Sequence, residues 1–313
     1  MNNRTLLIVF ISCLVLFFAG KFLRGNTSSS FDPEIMAVDT AKVDRIQFIS
    51  GGDQAEEFEL VRNGHTWEAV KGDLKVSATA ETMSSILEHM VHLNAKRIVT
   101  KDPARYPEYE IEGEKASQMK VWEGKKQVAD LQIGGFRFDQ AARTATSFIR
   151  KADKPEVFVV DGFMSMAFKA RFDHFRDRQL VKVGVDDLTS IEWSNNQGRK
   201  EVIQKEDGLW HYAGMEAVDS AKFALYLSSL VAAQGHEFSE FTSPTGLSLL
   251  EKLTLTGNNM IEPTVISAYA NPDTTKPFLI HSSVNPQSVF KSDSTGLYKQ
   301  IFSDLRPFWP HGQ

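Results

Sequence analysis

The sequence has little cysteine, and this scarcity limits the chemistry open to the protein. Cys13 is the only cysteine among 313 residues, and it lies inside an apolar segment near the start. The rest of the chain therefore has no intramolecular disulfide and no thiol for nucleophilic catalysis or metal binding. Cys13 does not predict a lipoprotein either, because Phe10 stands where such a signal prefers a small aliphatic residue.

The sequence also lacks the short motifs that carry common catalytic and cofactor-binding chemistry. It contains no G-x-S-x-G, H-E-x-x-H, G-x-x-x-x-G-K-[ST] or G-x-G-x-x-G, and no calcium-loop spacing. The nearest approach, "HEFSE" at His236, has no second histidine to complete a zinc helix. We therefore predict no catalytic residues, no cofactor and no enzymatic activity.

An excess of positive charge is missing as well. The net charge is -5, and residues 1 to 24 hold three basic side chains and no acid, so the remainder carries 32 basic and 40 acidic residues. A body of this sign gains nothing from counterion release on phosphates, which argues against nucleic acid as a partner.

Two groups of side chains could in principle hold a metal ion. His89 and His92 are three residues apart beside Glu88, but they lie off the apolar stripe of their predicted helix and have no third ligand nearby in sequence. The acidic residues between positions 102 and 114 could attract calcium. We expect both groups to be solvated surface side chains, and we predict no metal site. The acidic residues are Asp102, Glu108, Glu110, Glu112 and Glu114.

What the chain does contain is a weak internal repeat. The stretch from Ile46 to Phe175 is echoed in order by the stretch from Ile191 to Trp309. Its clearest markers are "GHTWEAV" and "GLWHYAG", whose tryptophans Trp67 and Trp210 lie 143 residues apart. Because each tryptophan recurs beside a strand that must pack against a helix, we expect both to be buried in a core rather than exposed for binding.

Each copy predicts strands, one helix and more strands. In the first copy, period-two alternation in "KVDRIQFIS" and "EEFELVRNG" leads through an Asn-Gly turn into "HTWEAV", and residues 80–94 have helical spacing. Four further strands, "SQMKVWEG", "QVADLQIGG", "TATSFIRK" and "EVFVVDG", predict an antiparallel meander. The second copy repeats this plan with a helix at 220–233. Its predicted strands are "LTSIEWSN" and "RKEVIQKEDGLWHYA" before the helix and "TVISAYA", "KPFLIHS" and "SVFKSD" after it. The fold class is therefore α+β, as two tandem repeats of a mostly antiparallel sheet with a packed helix.

The segment that joins the copies has a helix-like pattern. Met164, Phe168, Phe172 and Phe175 share one face, and basic residues including Arg176 occupy the others. We expect a packing helix with a solvated basic side, and a helix that docks on a membrane surface or on a partner is the alternative.

The start of the chain predicts one transmembrane helix before the repeats. Residues Thr5 to Leu23 contain one charge, Lys21, and match the roughly 20 residues that cross a hydrocarbon core. A cleavable signal peptide is the alternative, but Phe17 and Phe18 stand where small residues should precede cleavage. The predicted organisation is an anchor at 1–24, a flexible linker at 25–33 and repeat units at 34–182 and 183–313. A short leading tail before a large body favours a bacterial cytoplasmic membrane protein with its body in the periplasm.

The series "YPEYEIE", "LQIGGF", "TSFIRKADKPEVFVVDGFM" and "FRDRQLV" resembles the family called domain of unknown function (DUF) 4340. The resemblance covers nearly everything after the anchor, and the second copy matches more loosely. Where members often carry tyrosine-glycine-leucine, this chain has Tyr109-Glu110-Ile111. Members are similar to accessory components of gliding-motility-type ABC transporters, which implies an envelope protein beside a membrane complex.

These observations favour a non-catalytic, membrane-anchored accessory or scaffold subunit that binds a partner protein in a transport complex. One alternative is an extracytoplasmic module that binds a lipid or glycan. The other is a hydrolase or metalloenzyme whose site is assembled from scattered residues.

Overall fold

The computed structural model describes residues 33–52, 55–212, 215 and 217–308. The predicted anchor at 1–24 lies outside these residues, as does the predicted linker apart from Pro33. Within the described ranges, no helix is both long enough and apolar enough to cross a membrane.

The first antiparallel sheet contains nine strands. Their bounds are β1 Arg45–Ser50, β2 Glu56–Asn63, β3 Thr66–Lys71, β4 Leu74–Ser77, β5 Ala95–Thr100, β6 Ser117–Glu123, β7 Lys126–Asp139, β8 Thr144–Lys151 and β9 Val157–Asp161. They are hydrogen-bonded in the order β4-β3-β2-β1-β6-β7-β8-β9-β5. The predicted hairpin β2–β3 and the predicted meander β6–β9 are both present.

The second antiparallel sheet contains eight strands. Their bounds are β10 Leu188–Asn195, β11 Lys200–Glu206, β12 Leu209–Tyr212, β13 Glu237–Phe238, β14 Leu249–Gly257, β15 Thr264–Ala270, β16 Phe278–Ser282 and β17 Asn285–Ser292. Their order is β12-β11-β10-β14-β15-β16-β17-β13. Apart from β4, each strand of the first sheet has a counterpart in the same place, so the two sheets confirm the tandem repeat.

Helices are few and mostly short. The α-helices are α1 Ala80–Val91, α2 Met164–Phe168, α3 Ser220–Val231 and α4 Leu297–Ile301. The 3₁₀ helices are Pro103–Tyr109, Phe172–His174, Val185–Asp187 and Ser303–Phe308. Helix α1 buries Met83, Ile86 and Met90, as its spacing predicts. It ends at Val91 rather than at residue 94.

Both marker tryptophans are in the core. Trp67 on β3 is 6% exposed and Trp210 on β12 is 8% exposed, which confirms the expectation of buried packing residues. The ring of Trp210 lies edge-on to Phe223 of α3, with 5.2 Å between ring centroids. In the second repeat this contact joins the helix to the sheet above a shared apolar core.

The compact units do not follow the linear order of the repeats strictly. One unit contains Met1–His65, Val70–Gly72 and Ala80–Arg171. The other contains Thr66–Ala69, Asp73–Thr79 and Phe172–Gln313.

Candidate functional site

Four large apolar side chains are exposed together in the first unit. Phe136 and Phe138 of β7 are 46% and 51% exposed, and Phe163 and Met166 in and before α2 are 46% and 57% exposed. The ring centroid of Phe163 lies 5.4 Å from that of Phe136 and 6.1 Å from that of Phe138. We name these four residues the Phe136 surface. Its three rings are joined by contacts at geometries that aromatic rings prefer, and the backbone N–H of Met166 donates to the carbonyl oxygen of Phe163 at 2.9 Å.

An irregularity in β7 positions this surface. The register between β7 and β8 shifts between Ile133 and Phe136, at the Gly134-Gly135 pair. A Cβ atom at Gly134 would lie 2.3 Å from the backbone oxygen of Tyr109, so only glycine fits against this turn. Bulges of this kind redirect the side chains that follow them.

Arg137 shows how β7 continues beyond the bulge. Its guanidinium lies over the rings of Tyr109 and Phe148, at 5.6 and 5.3 Å from their centroids. Since successive strand side chains point to opposite faces, Phe136 and Phe138 are directed away from these two rings and toward solvent.

Two buried serines fix α2 beside the bulge. The backbone N–H of Ser165 donates to the hydroxyl of Ser147 at 2.9 Å, and that hydroxyl donates to the carbonyl oxygen of Gly162 at 2.9 Å. The hydroxyl of Ser165 donates to the carbonyl oxygen of Gly135 at 2.8 Å. We call these three hydrogen bonds the frame of the aromatic cluster. Because they fix the backbone beneath the rings, less conformational entropy is lost when a partner binds.

The side chains of the Phe136 surface are suited to binding another molecule rather than to catalysis. Its four side chains hold no titratable or nucleophilic group. Large rigid rings bury much apolar area at a low entropic cost, and such residues dominate the energetics of protein interfaces. This surface was missed in the sequence because "FRF" alternates as an ordinary strand does, and the Gly-Gly pair was the only local signal of a bulge.

The acidic residues predicted to be solvated lie at the surface, where Glu110 is partly exposed and the other four are exposed. Arg105 donates to both carboxylate oxygens of Glu108 at 3.2 Å through Nε, and this contact lowers the pKa of Glu108. Asp102 accepts from the backbone N–H of Ala104 at the start of a 3₁₀ helix. Glu110 lies near two lysines and Glu112 near Arg150, at 3.7 to 4.0 Å.

The two histidines considered as ligands lie at the end of α1. The Nδ1 atom of His89 is 2.6 Å from the carbonyl oxygen of Ser85, and His92 is exposed. In the described part of the chain, no group of three or more His, Cys, Asp or Glu side chains could hold a metal ion.

Arg176 corrects the expectation of a solvated basic side on the joining segment. This residue is 4% exposed, and its guanidinium lies 3.6 Å from the ring centroid of Phe238. Burial lowers the pKa of Arg176, while Asp173, at 3.2 Å, opposes this effect. The segment is also not one helix, because α2 and the following 3₁₀ helix are separate. Phe168, Phe172 and Phe175 are buried, as predicted.

A polar cluster in the second repeat is centred on Glu251 of β14. The Glu251 carboxylate accepts hydrogen bonds from Trp193 Nε1 at 2.7 Å, Tyr298 Oη at 2.6 Å and Arg306 Nη2 at 2.7 Å. Burial, together with Glu251, raises the pKa of Tyr298 to about 12. The Glu251 carboxylate is the acceptor for all three donors, so we interpret the cluster as one that stabilises the fold of the second repeat.

Comparison with known proteins places the chain in one family. The family model described as "Domain of unknown function (DUF4340)" matches residues 67–248, which are 182 of the 313 residues. The match includes the Phe136 surface and the two serines beneath it. Neither curated proteins nor solved structures gave a match. The chain belongs to the family described as a domain of unknown function, DUF4340.

Proposed function

We propose that this protein is a non-catalytic accessory subunit of a membrane complex and that the Phe136 surface binds a partner protein of that complex. The observation that carries the proposal is the group of four exposed apolar side chains on a hydrogen-bonded frame. Contiguous exposed apolar patches are uncommon on monomers and mark interaction sites.

The chemistry of the surface favours a protein over a lipid bilayer. Attachment to an anionic membrane surface is strengthened by clustered Lys and Arg, whereas the four residues of the Phe136 surface include neither. A protein segment with aliphatic or aromatic side chains matches the exposed rings, and such pairs of buried anchors are typical of interface centres.

The proposed attachment is the amino-terminal apolar segment, with the repeats in the periplasm. Its support is the near-uncharged run from Thr5 to Leu23. The resemblance to accessory components of gliding-motility-type ABC transporters supports a transport complex as the site of action, as an association between relatives.

Site-specific photo-crosslinking tests the docking. A benzoyl-phenylalanine replaces Phe136 or Phe138 at native expression, and Phe241, which is 38% exposed, is the control position. We expect an adduct with one defined membrane-complex protein from 136 and 138 but not from 241. The same protein should co-purify with the unaltered chain and should be lost with Phe163→Ser. Adducts with lipid alone, equal adducts at all positions, or no adduct would refute the docking proposal.

Protease treatment tests the location independently. Added protease should digest the repeats in spheroplasts and leave a membrane-embedded amino-terminal fragment. A protected full-length chain would reverse the orientation, and a soluble, shortened chain would show a cleaved signal peptide.

A further inference from the structure

A basic pocket of about 300 Å³ lies in the first unit, and its lining includes none of the four residues of the Phe136 surface. It forms where the end of β1, the start of β6 and the chain after α2 converge. Its lining residues are Ser50, Gly51, Gly52, Glu110, Lys115, Ser117, Lys169 and Arg171. Three cations against one carboxylate give this lining two excess positive charges.

The cations are only loosely paired with carboxylates in the described chain. Glu110 lies 3.7 Å from the Lys115 ammonium and 3.9 Å from the Lys169 ammonium, both beyond hydrogen-bond distance. Arg171 Nε lies 3.5 Å from Glu56, whose carboxylate also meets Lys71 at 2.6 Å. The charges that face the pocket therefore retain capacity for another anion.

Lys169 is the member of the group that water stabilises least. Its side chain is 25% exposed, and its ammonium donates to the carbonyl oxygen of Lys115 at 3.2 Å. Burial lowers the pKa of Lys169, and the carboxylate of Glu110 opposes this effect. An anion in the pocket would supply the charge compensation that burial has removed.

The backbone at Glu110 is also held in an unusual conformation. This residue has φ 54°, in the left-handed region that favours glycine. Glu110 is the left-handed C-cap of the 3₁₀ helix Pro103–Tyr109, and its backbone N–H donates to the carbonyl oxygens of Tyr106 and Pro107. This cap fixes the backbone of the residue that supplies the one carboxylate among the lining residues.

We infer that this pocket binds a phosphate group carried by a small molecule or a lipid headgroup. Two excess positive charges match the charge of about -2 on a phosphate monoester. The guanidinium fork of Arg171 suits phosphate oxygens, and the two lysines supply point charges. This inference is independent of the docking proposal, since the two sites share no residue.

Calorimetric titration of inorganic phosphate into the full-length chain in detergent tests the site. Lys169→Met and Arg171→Met keep an unbranched apolar stem and remove one charge each, and we expect each to weaken binding by about tenfold or more. Lys125→Met, at an exposed turn, is the matched control and should bind as the unaltered chain does.

Glu110→Gln separates lost recognition from lost structure. Removing the only carboxylate of the lining should tighten phosphate binding, which a damaged fold would not do. No binding by the unaltered chain, unchanged binding in both methionine variants, or weaker binding in Glu110→Gln would each overturn the inference.

A second titration with a water-soluble, short-chain phosphatidic acid distinguishes the two sources of phosphate. Tighter binding of this lipid than of inorganic phosphate supports a headgroup site. Binding no tighter than that of inorganic phosphate supports a soluble phosphate ligand.

Discussion

The hydroxyl of Ser165 donates a hydrogen bond to the carbonyl oxygen of Gly135 at 2.8 Å, although the two residues are 30 positions apart. This bond joins α2 to the bulge of β7. Ser165 is 1% exposed, so its hydroxyl and backbone N–H are satisfied by protein groups rather than by water. The two halves of the Phe136 surface therefore share one support.

Loss of that hydroxyl should loosen the surface without removing it. Ser165→Ala leaves the carbonyl of Gly135 without this donor, at a cost of about 1–2 kcal/mol. Amide hydrogen exchange in peptides covering 134–139 and 162–168 should then be about tenfold faster. Ser84→Ala, at an exposed position of α1, is the control and should leave these peptides unchanged. Unchanged exchange in Ser165→Ala would show that the Ser165 hydroxyl does not hold α2 to the bulge of β7.

The two glycines of the bulge should differ in their tolerance of a methyl group. A Cβ at Gly134 would meet the backbone oxygens of Tyr109 and Phe148 at 2.3 and 3.1 Å. A Cβ at Gly135 would meet the end of the flexible Glu110 side chain at 2.8 Å, which can move aside. We expect Gly134→Ala to cost about 1–3 kcal/mol and Gly135→Ala less than about 1 kcal/mol. Thermal unfolding of the two variants checks the order, and equal or reversed shifts would contradict it.

The sequence predicted strands correctly where apolar residues, which are buried, alternate with polar residues, which are not. In β1, Ile46 and Phe48 are buried on one face, and β6 to β9 were predicted as short runs separated by turn residues. Strand β14 was not predicted, because the buried position 251 carries a glutamate. That charge is stabilised by Trp193, Tyr298 and Arg306, all distant in sequence, so no local pattern could reveal it.

The candidate sites were harder to predict than the strands, because they too depend on contacts between residues that are distant in sequence. Arg176 was expected in solvent, but it lies against Phe238, which is 62 positions later. Phe136 follows a bulge at Gly134, where the backbone oxygen of Tyr109, 25 positions earlier, leaves no room for a Cβ atom. Periodicity reports which face of an element is apolar, whereas these features depend on which remote segment covers that face.

Glu251 should prove necessary to the second repeat. Glu251→Ala removes the acceptor of the buried Trp193 and Tyr298 donors, whereas the half-exposed Arg306 can donate to water, and we expect a loss of about 2–4 kcal/mol in the free energy of unfolding. Glu251→Gln retains one oxygen acceptor and should cost less. The control is Glu192→Ala, which breaks a surface pair with Lys200 and should cost below about 1 kcal/mol.

Urea unfolding followed by tryptophan fluorescence measures these differences, because Trp193 itself donates to the carboxylate. A loss in Glu251→Ala no larger than that in Glu192→Ala would mean that the cluster contributes little to stability.

The stability of the protein should fall as the pH drops below the ordinary titration range of histidine. Burial lowers the pKa of His281 on β16, and the carbonyl oxygen of Pro286, 3.4 Å from Nε2, opposes this effect. Burial lowers the pKa of His174 as well, and nearby Arg178 lowers it further.

An unfolded chain binds protons at these histidines near pH 6.5, before the folded chain does. The stability from these neutral, partly desolvated histidines is therefore full above about pH 6.5 and is lost as the pH falls through the lowered folded pKa. Replacing His281 by glutamine removes one such group and keeps an N–H donor for Pro286. Urea midpoints measured between about pH 7 and 5 should then decline less steeply than in the unaltered chain. His92→Gln, at an exposed position, is the control for histidine number. An equal decline in His281→Gln and the unaltered chain would show that protonation of His281 is not part of the acid sensitivity, because the folded state would then accept the proton as readily as the unfolded one.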